Sequence, residues 1–176
     1  TGGSVDVDAV GAATVTSLGH VVGGGDGTSV AIDAAGISLG NSGGAGFATV
    51  HNTGTGTVSI TATGSNNITL DNNALRTDEG LLTIDATGGN VVVLSDAGTE
   101  LRVAGDVTVT AQAIGVDGTG TSLKGGLDIR GGGDLGDSTL TINGTGSGPI
   151  GVDVTDDLFS SISVTLANAE SSVDIT

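Results

Sequence analysis

Carboxylates are the chemically active groups of this 176-residue chain, which carries 20 Asp and Glu against 4 Lys and Arg and only two histidines. The densest group is VDVTDD, Val152 to Asp157, where Asp153, Asp156 and Asp157 stand close together. Paired carboxylates of this kind serve glycosidases as acid, base or nucleophile. Sugar sites usually add aromatic platforms, and only Phe159 is near, so the plainer reading is a solvated acidic turn. A second set, Asp6, Asp8, Asp33 and Asp85, flanks equivalent apolar residues along the chain. Hard oxygen ligands suit Ca²⁺, and a cation would relieve repulsion between stacked carboxylates. These seven aspartates are the candidate calcium ligands, and calcium is the one cofactor considered. A solvated acidic face is the alternative, because intervening units carry Thr or Ser in place of Asp. GGGDGTSVAID from Gly23 and GGGDLGDSTL from Gly131 are similar to tandem Gly/Asp calcium repeats, but neither keeps their spacing.

The other reactive side chains are sparse. His20 and His51 lie in LGHVVGGG and TVHNTG and read as loop residues beside glycine-rich turns. No His-Glu-x-x-His pattern and no nucleophile elbow is present. Catalysis is therefore not expected. Thr14–Thr16, Thr108–Thr110 and Thr139–Thr141 form Thr-x-Thr patterns similar to ice-binding ladders. Aspartates interrupt that face, so the threonines read as strand residues whose stacked pairs stabilise a sheet by about 0.2–1 kcal/mol each.

The balance of charge is −16. Its four cations, Arg76, Arg102, Lys124 and Arg130, look scattered, so neither nucleic acid nor an anionic membrane surface is an expected partner. No apolar run approaches 18 residues, so no membrane insertion is expected. No signal peptide opens the chain, which is expected to be cytoplasmic or the mature or excised part of an exported protein. Without cysteine there are no disulfides or thiolate metal sites.

What must position these groups is a set of short strands. Thr, Val, Gly, Asp and Asn dominate, and they are poor helix formers. Apolar residues alternate with polar ones in SVDVDAV, SVAIDA, TVSITA, LLTIDA, VTVTA, STLTING and SISVTLA, and each run ends in turn residues. SITATGSNNITL from Ser59 and TIDATGGNVVVL from Thr83 repeat one pattern at an offset of 24. Extending it gives the landmarks Val7, Ile32, Ile60, Ile84, Val109, Ile142 and Leu166, at steps of 25, 28, 24, 25, 33 and 24. The long step contains KGGLDIRGGGD, read as an insertion or an irregular turn. Such a period marks a solenoid or array. One all-β domain spanning residues 1–176 is expected, a parallel β-solenoid (β-helix) of about seven coils with a period near 24. An antiparallel β-sandwich is the alternative. The solenoid is preferred because the period persists while turns vary, and because Phe47 and Phe159 are the chain's only aromatics. NNITLDNN, Asn66 to Asn73, reads as turn asparagines able to form ladders between coils.

SITATGSNNITL, TIDATGGNVVVL and VTVTAQAIGV resemble repeats of secreted bacterial β-helix proteins, the filamentous-haemagglutinin-like and autotransporter-like adhesins, from about Val5 to Ile175. The resemblance implies a right-handed parallel β-helix serving as a stalk or adhesive surface outside the cell. The family's secretion domain and membrane barrel are not evident in this sequence. The expected function is therefore an extracellular structural or adhesive solenoid of a microbial cell surface, without catalysis. Two alternatives are a self-assembling filament or surface-layer subunit and a polysaccharide-acting enzyme. Expected partners are further copies joined end to end, flanking repeats of the same protein, or a cell-surface carbohydrate.

Overall fold

The computed structural model describes residues 5–16, 20–40, 48–71, 73–94, 100–124, 127–131, 138–155, 159–168 and 172–175. Among these residues there is no helix. The strands, in chain order, are β1 (Val5–Thr16), β2 (His20–Gly23), β3 (Val30–Gly40), β4 (Ala48–Asn52), β5 (Val58–Ala62), β6 (Ile68–Asp71), β7 (Asn73–Thr77), β8 (Leu82–Val93), β9 (Glu100–Val103), β10 (Val107–Val116), β11 (Leu127–Gly131), β12 (Thr139–Gly144), β13 (Ile150–Thr155), β14 (Ser161–Leu166) and β15 (Val173–Ile175).

Every ladder between these strands is parallel, and each strand pairs with the equivalent strand of the neighbouring coil. That excludes the antiparallel sandwich. The result is a β-solenoid of about five turns with a period of about 25 residues, fewer turns than the seven expected. Seven strands do stack on the first face, but β13 runs from the second face into the third without a break, pairing with β10 through Ile150 and with β11 from Val152 onward.

Three faces enclose the core. The first is the landmark ladder. Val7 pairs with Ile32, Ile32 with Ile60, Ile60 with Ile84, Ile84 with Val109 and Val109 with Ile142. Ile32, Ile60, Ile84, Val109 and Ile142 are fully buried, while Val7 is 37% exposed because its coil has a neighbour on one side only. The last landmark is corrected. Ile142 pairs with Val164, and Leu166 pairs with Gly144, where it occupies the space that a side chain at Gly144 would need. The second face stacks the carboxy-terminal halves of β1, β3, β8 and β10 with β6. The third stacks β2, β4, β7, β9 and β11. One continuous aliphatic core runs between them.

Close backbone stacking explains much of the glycine. At the corner leading into the first face, a methyl on Gly80 would collide with the Gly56 carbonyl oxygen, and the amide of Gly105 donates to the Gly80 carbonyl at 3.1 Å. Asparagine ladders form in part. Asn67 Oδ1 accepts the Asn90 amide of the next coil at 2.9 Å, and Asn66 Nδ2 donates to the Thr63 carbonyl within its own turn at 2.8 Å.

The 33-residue step is also placed differently. Leu127–Gly131, inside KGGLDIRGGGD, is the regular strand β11, with Leu127 and Ile129 fully buried. The described extra length is an excursion after β10, where Val116 forms an antiparallel bridge with Leu123. Beside it Val92, Ala113 and Val116 make a second, small buried cluster.

Candidate functional site

The third face carries two outward columns of opposite charge. Parallel register places His51 beside Arg76, Arg76 beside Arg102, and Arg102 beside Arg130 on successive strands. The residue just before each of these on its strand, Val50, Leu75, Leu101 or Ile129, points into the core and is at most 1% exposed. So three of the chain's four Lys and Arg residues form one file at the spacing of hydrogen-bonded strands, about 4.8 Å. The reading of these cations as scattered is corrected. Their separations of 26 and 28 residues are one coil each, a signal visible once the repeat period is applied to charged residues as well as apolar ones.

The neighbouring column is acidic. Glu100 holds the register position between Ala74 and Asp128, and Asp128 pairs with Asp153. Asp128 and Arg130, two residues apart on β11, approach to 3.7 Å across the columns, with side chains 26% and 41% exposed.

The turn after β7 adds a cluster. Asp78 Oδ1 lies 3.0 Å from His51 Nε2 and accepts from Arg76 Nε at 2.9 Å. Burial pushes the Asp78 carboxyl up, but the hydrogen bonds from His51 and Arg76 and their charges outweigh it and hold it below the usual carboxylate value. The turn is fixed from beneath. Asn52, fully buried, accepts the Asp78 amide on its own carbonyl at 3.0 Å and donates its side chain to the Thr28 carbonyl at 2.7 Å. Both histidines lie in strands, His20 in β2 and His51 in β4, and not in the loops expected for them.

The candidate calcium ligands are distributed along the rod. Asp6 is opposite Ala31, Asp8 is opposite Asp33, and Thr61 stands between Asp33 and Asp85. The Asp85 carboxylate accepts the Thr87 amide at 2.9 Å and so closes its own turn. Asp117 acts likewise in the excursion. The hydroxyl of Thr119 is the main influence holding its carboxyl below the usual value, aided by the backbone amides of Thr119, Thr121 and Ser122. Asp153 belongs to the acidic column, whereas Asp156 and Asp157 lie outside the described residues. Among the described residues, no three His, Asp or Glu side chains are grouped so as to hold a metal ion.

The first face is hydroxyl-rich. Ser59, Thr83, Thr108, Thr141 and Ser163 form one file on successive strands. The parallel file reads Asp8, Asp33, Thr61, Asp85, Thr110, Asn143 and Thr165, so aspartates do break one of its two columns. Asn143 Nδ2 donates to Thr110 Oγ1 at 3.2 Å, a tie between coils.

On the second face an open groove of about 420 Å³ lies between the excursion and the turn before β13, lined by Asn90, Gln112, Thr121, Ser147 and Pro149 together with two glycines. Its side chains offer neutral donors and acceptors and no titratable group. Compared with protein-family models, curated proteins and solved structures, the chain matches none.

Proposed function

We propose that this chain is a non-catalytic structural and adhesive solenoid of a microbial cell surface, acting outside the cell. One observation carries the reading. Ser59, Thr83, Thr108, Thr141 and Ser163 repeat a hydroxyl from coil to coil, so the first face offers a line of like groups extended along the rod. A line of hydroxyls on the first face and of amides and hydroxyls in the groove suits the many weak, repeated hydrogen bonds of an extended carbohydrate. The neutral lining of the groove supports adhesion over turnover.

Surface-immobilised cell-wall and host glycans, probed with the purified chain, test this reading. Saturable binding to a neutral polysaccharide, weakened in Thr83→Val/Thr108→Val or Gln112→Ala, is the expected result. Release of new reducing ends from the glycan would favour the polysaccharide-acting enzyme. Absence of binding to every surface would remove adhesion.

The filament or surface-layer reading rests on a different observation. Apolar side chains are exposed on both outermost coils, Val7 and Val10 on one and Ile162, Val173 and Ile175 on the other. Such surfaces accept a further coil, whether from flanking repeats or from another copy. Electron microscopy showing end-to-end fibres would move the assignment to that class.

A further inference from the structure

The charged stripe of the third face is self-complementary, and we infer that it is a docking surface for a second copy of this chain, laid alongside with both rods pointing the same way. The argument starts from the two columns. Arg76, Arg102 and Arg130 form one; Glu100, Asp128 and Asp153 hold register positions in the other. A two-fold axis parallel to the rod, passing between two apposed third faces, sets the basic column of each copy opposite the acidic column of its partner. Identical coils then meet at the same height. Arg102 comes opposite the position of Glu100, and Arg130 opposite Asp128. Turning one rod end over end sets like column against like column, so charge selects the parallel arrangement.

Two further facts favour a copy of the same chain as the occupant. Any ligand for such a file must repeat at the strand spacing over several coils, and a second copy has the same pitch by identity. The contact is isologous and closes on itself. The rest of the surface works against association. Outside this stripe the only Lys or Arg is Lys124, in a chain of net charge −16. Apposing two first faces brings together files that carry Asp8, Asp33 and Asp85, and like-charge contact disfavours that pairing. Among the described residues, the stripe is where basic and acidic columns lie side by side. The Arg76 and Arg130 side chains are 47% and 41% exposed, each beside a carboxylate of its own chain, Asp78 and Asp128. The inference concerns lateral pairing and stands independently of whether the rod is adhesive.

The test uses the whole chain in sedimentation equilibrium across concentration. Wild type should show a monomer–dimer equilibrium. Arg102→Glu/Arg130→Glu and Glu100→Lys/Asp128→Lys should each weaken it at least about tenfold. The combined four-site swap should restore it, which excludes misfolding as the cause. Orientation is read from Val22→Cys, at the basic column's position in the first coil, in a chain with no other cysteine. A short bis-maleimide should join two copies through Cys at that one position only if the rods are parallel. A monomer at every concentration, a dimer indifferent to the charge reversals, or a dimer that the maleimide fails to join would each overturn the inference. So would capture of dextran sulfate by a wild-type monomer with loss of capture in Arg102→Glu/Arg130→Glu, which would assign the stripe to a polyanion.

Discussion

Ile84 and Thr83 are adjacent in sequence and opposite in fate. Ile84 is fully buried in the middle of its column, and Thr83 sits in the outward hydroxyl file. Ile84→Ala should cost about 2–5 kcal/mol, whereas Thr83→Ala should cost about 0.2–1 kcal/mol, measured by denaturant unfolding. Asp78 gives a pH signature. Its proton affinity is lowered in the folded state, so its contribution is complete above the ordinary carboxylate pKa of about 3.9 and is lost as pH falls through the lower folded value. Asp78→Asn should therefore cost under about 1 kcal/mol near neutrality, since the pair is partly solvated, and the gap to wild type should narrow as pH falls below the ordinary carboxylate pKa. A gap that widens on acidification would contradict the assignment. At this scale the sequence was legible where side chains alternate and opaque where coils meet. Ile60 and Ile84 could be aligned from their surroundings alone. Leu166 was misaligned because Val164 has the same parity, and the 24-residue step fitted the period better than the 22 residues actually used. The arginine file was missed because coincidence in register is a property of the third face, whose strands are short and varied in sequence.

Strand identity was readable from period-two alternation, but the third face and the corners were not. VVVL looks like a continuous apolar run because Val91 and Val93 enter the main core while Val92 joins a separate small cluster with Ala113 and Val116. The excursion itself could not be separated from β11, because both are rich in glycine. Element-scale electrostatics yield a further expectation. Asp8 and Asp33 are directly paired on β1 and β3, and like charges opposite each other destabilise a ladder. Asp33→Asn should raise stability by a few tenths of a kcal/mol in dilute buffer, about 0.2–1 at most. The gain should vanish in about 1 M salt, where the Debye length is about 3 Å. A loss of stability that appears only with added Ca²⁺ would instead mark a cation bridging the two carboxylates.

For the molecule as a whole, each coil touches its neighbours and little else, so stability is close to a sum of coil and interface terms. The 24-residue offset between Ile60 and Ile84 makes a clean excision available. Deleting residues 61–84 joins Ile60 to Asp85 and preserves the order of faces. The shortened chain should still fold into a parallel solenoid, with a lower melting temperature and a smaller unfolding m-value, since less surface is exposed. Collapse of the whole fold would mean that stability is not distributed coil by coil.

The hydrogen bonds that join coils point along the rod, from one parallel strand to the next. Tension applied between the two ends of the chain therefore pulls on them one rung at a time. The expected response is unspooling, not the abrupt rupture of strands sheared past each other. Each coil of about 25 residues would release roughly 80 Å of chain when drawn out at about 3.4 Å per residue, less its rise of about 4.8 Å. A single-molecule stretching trace should show a low plateau or a series of such steps. A tether built this way would yield gradually under load, and recoil as its coils wound back.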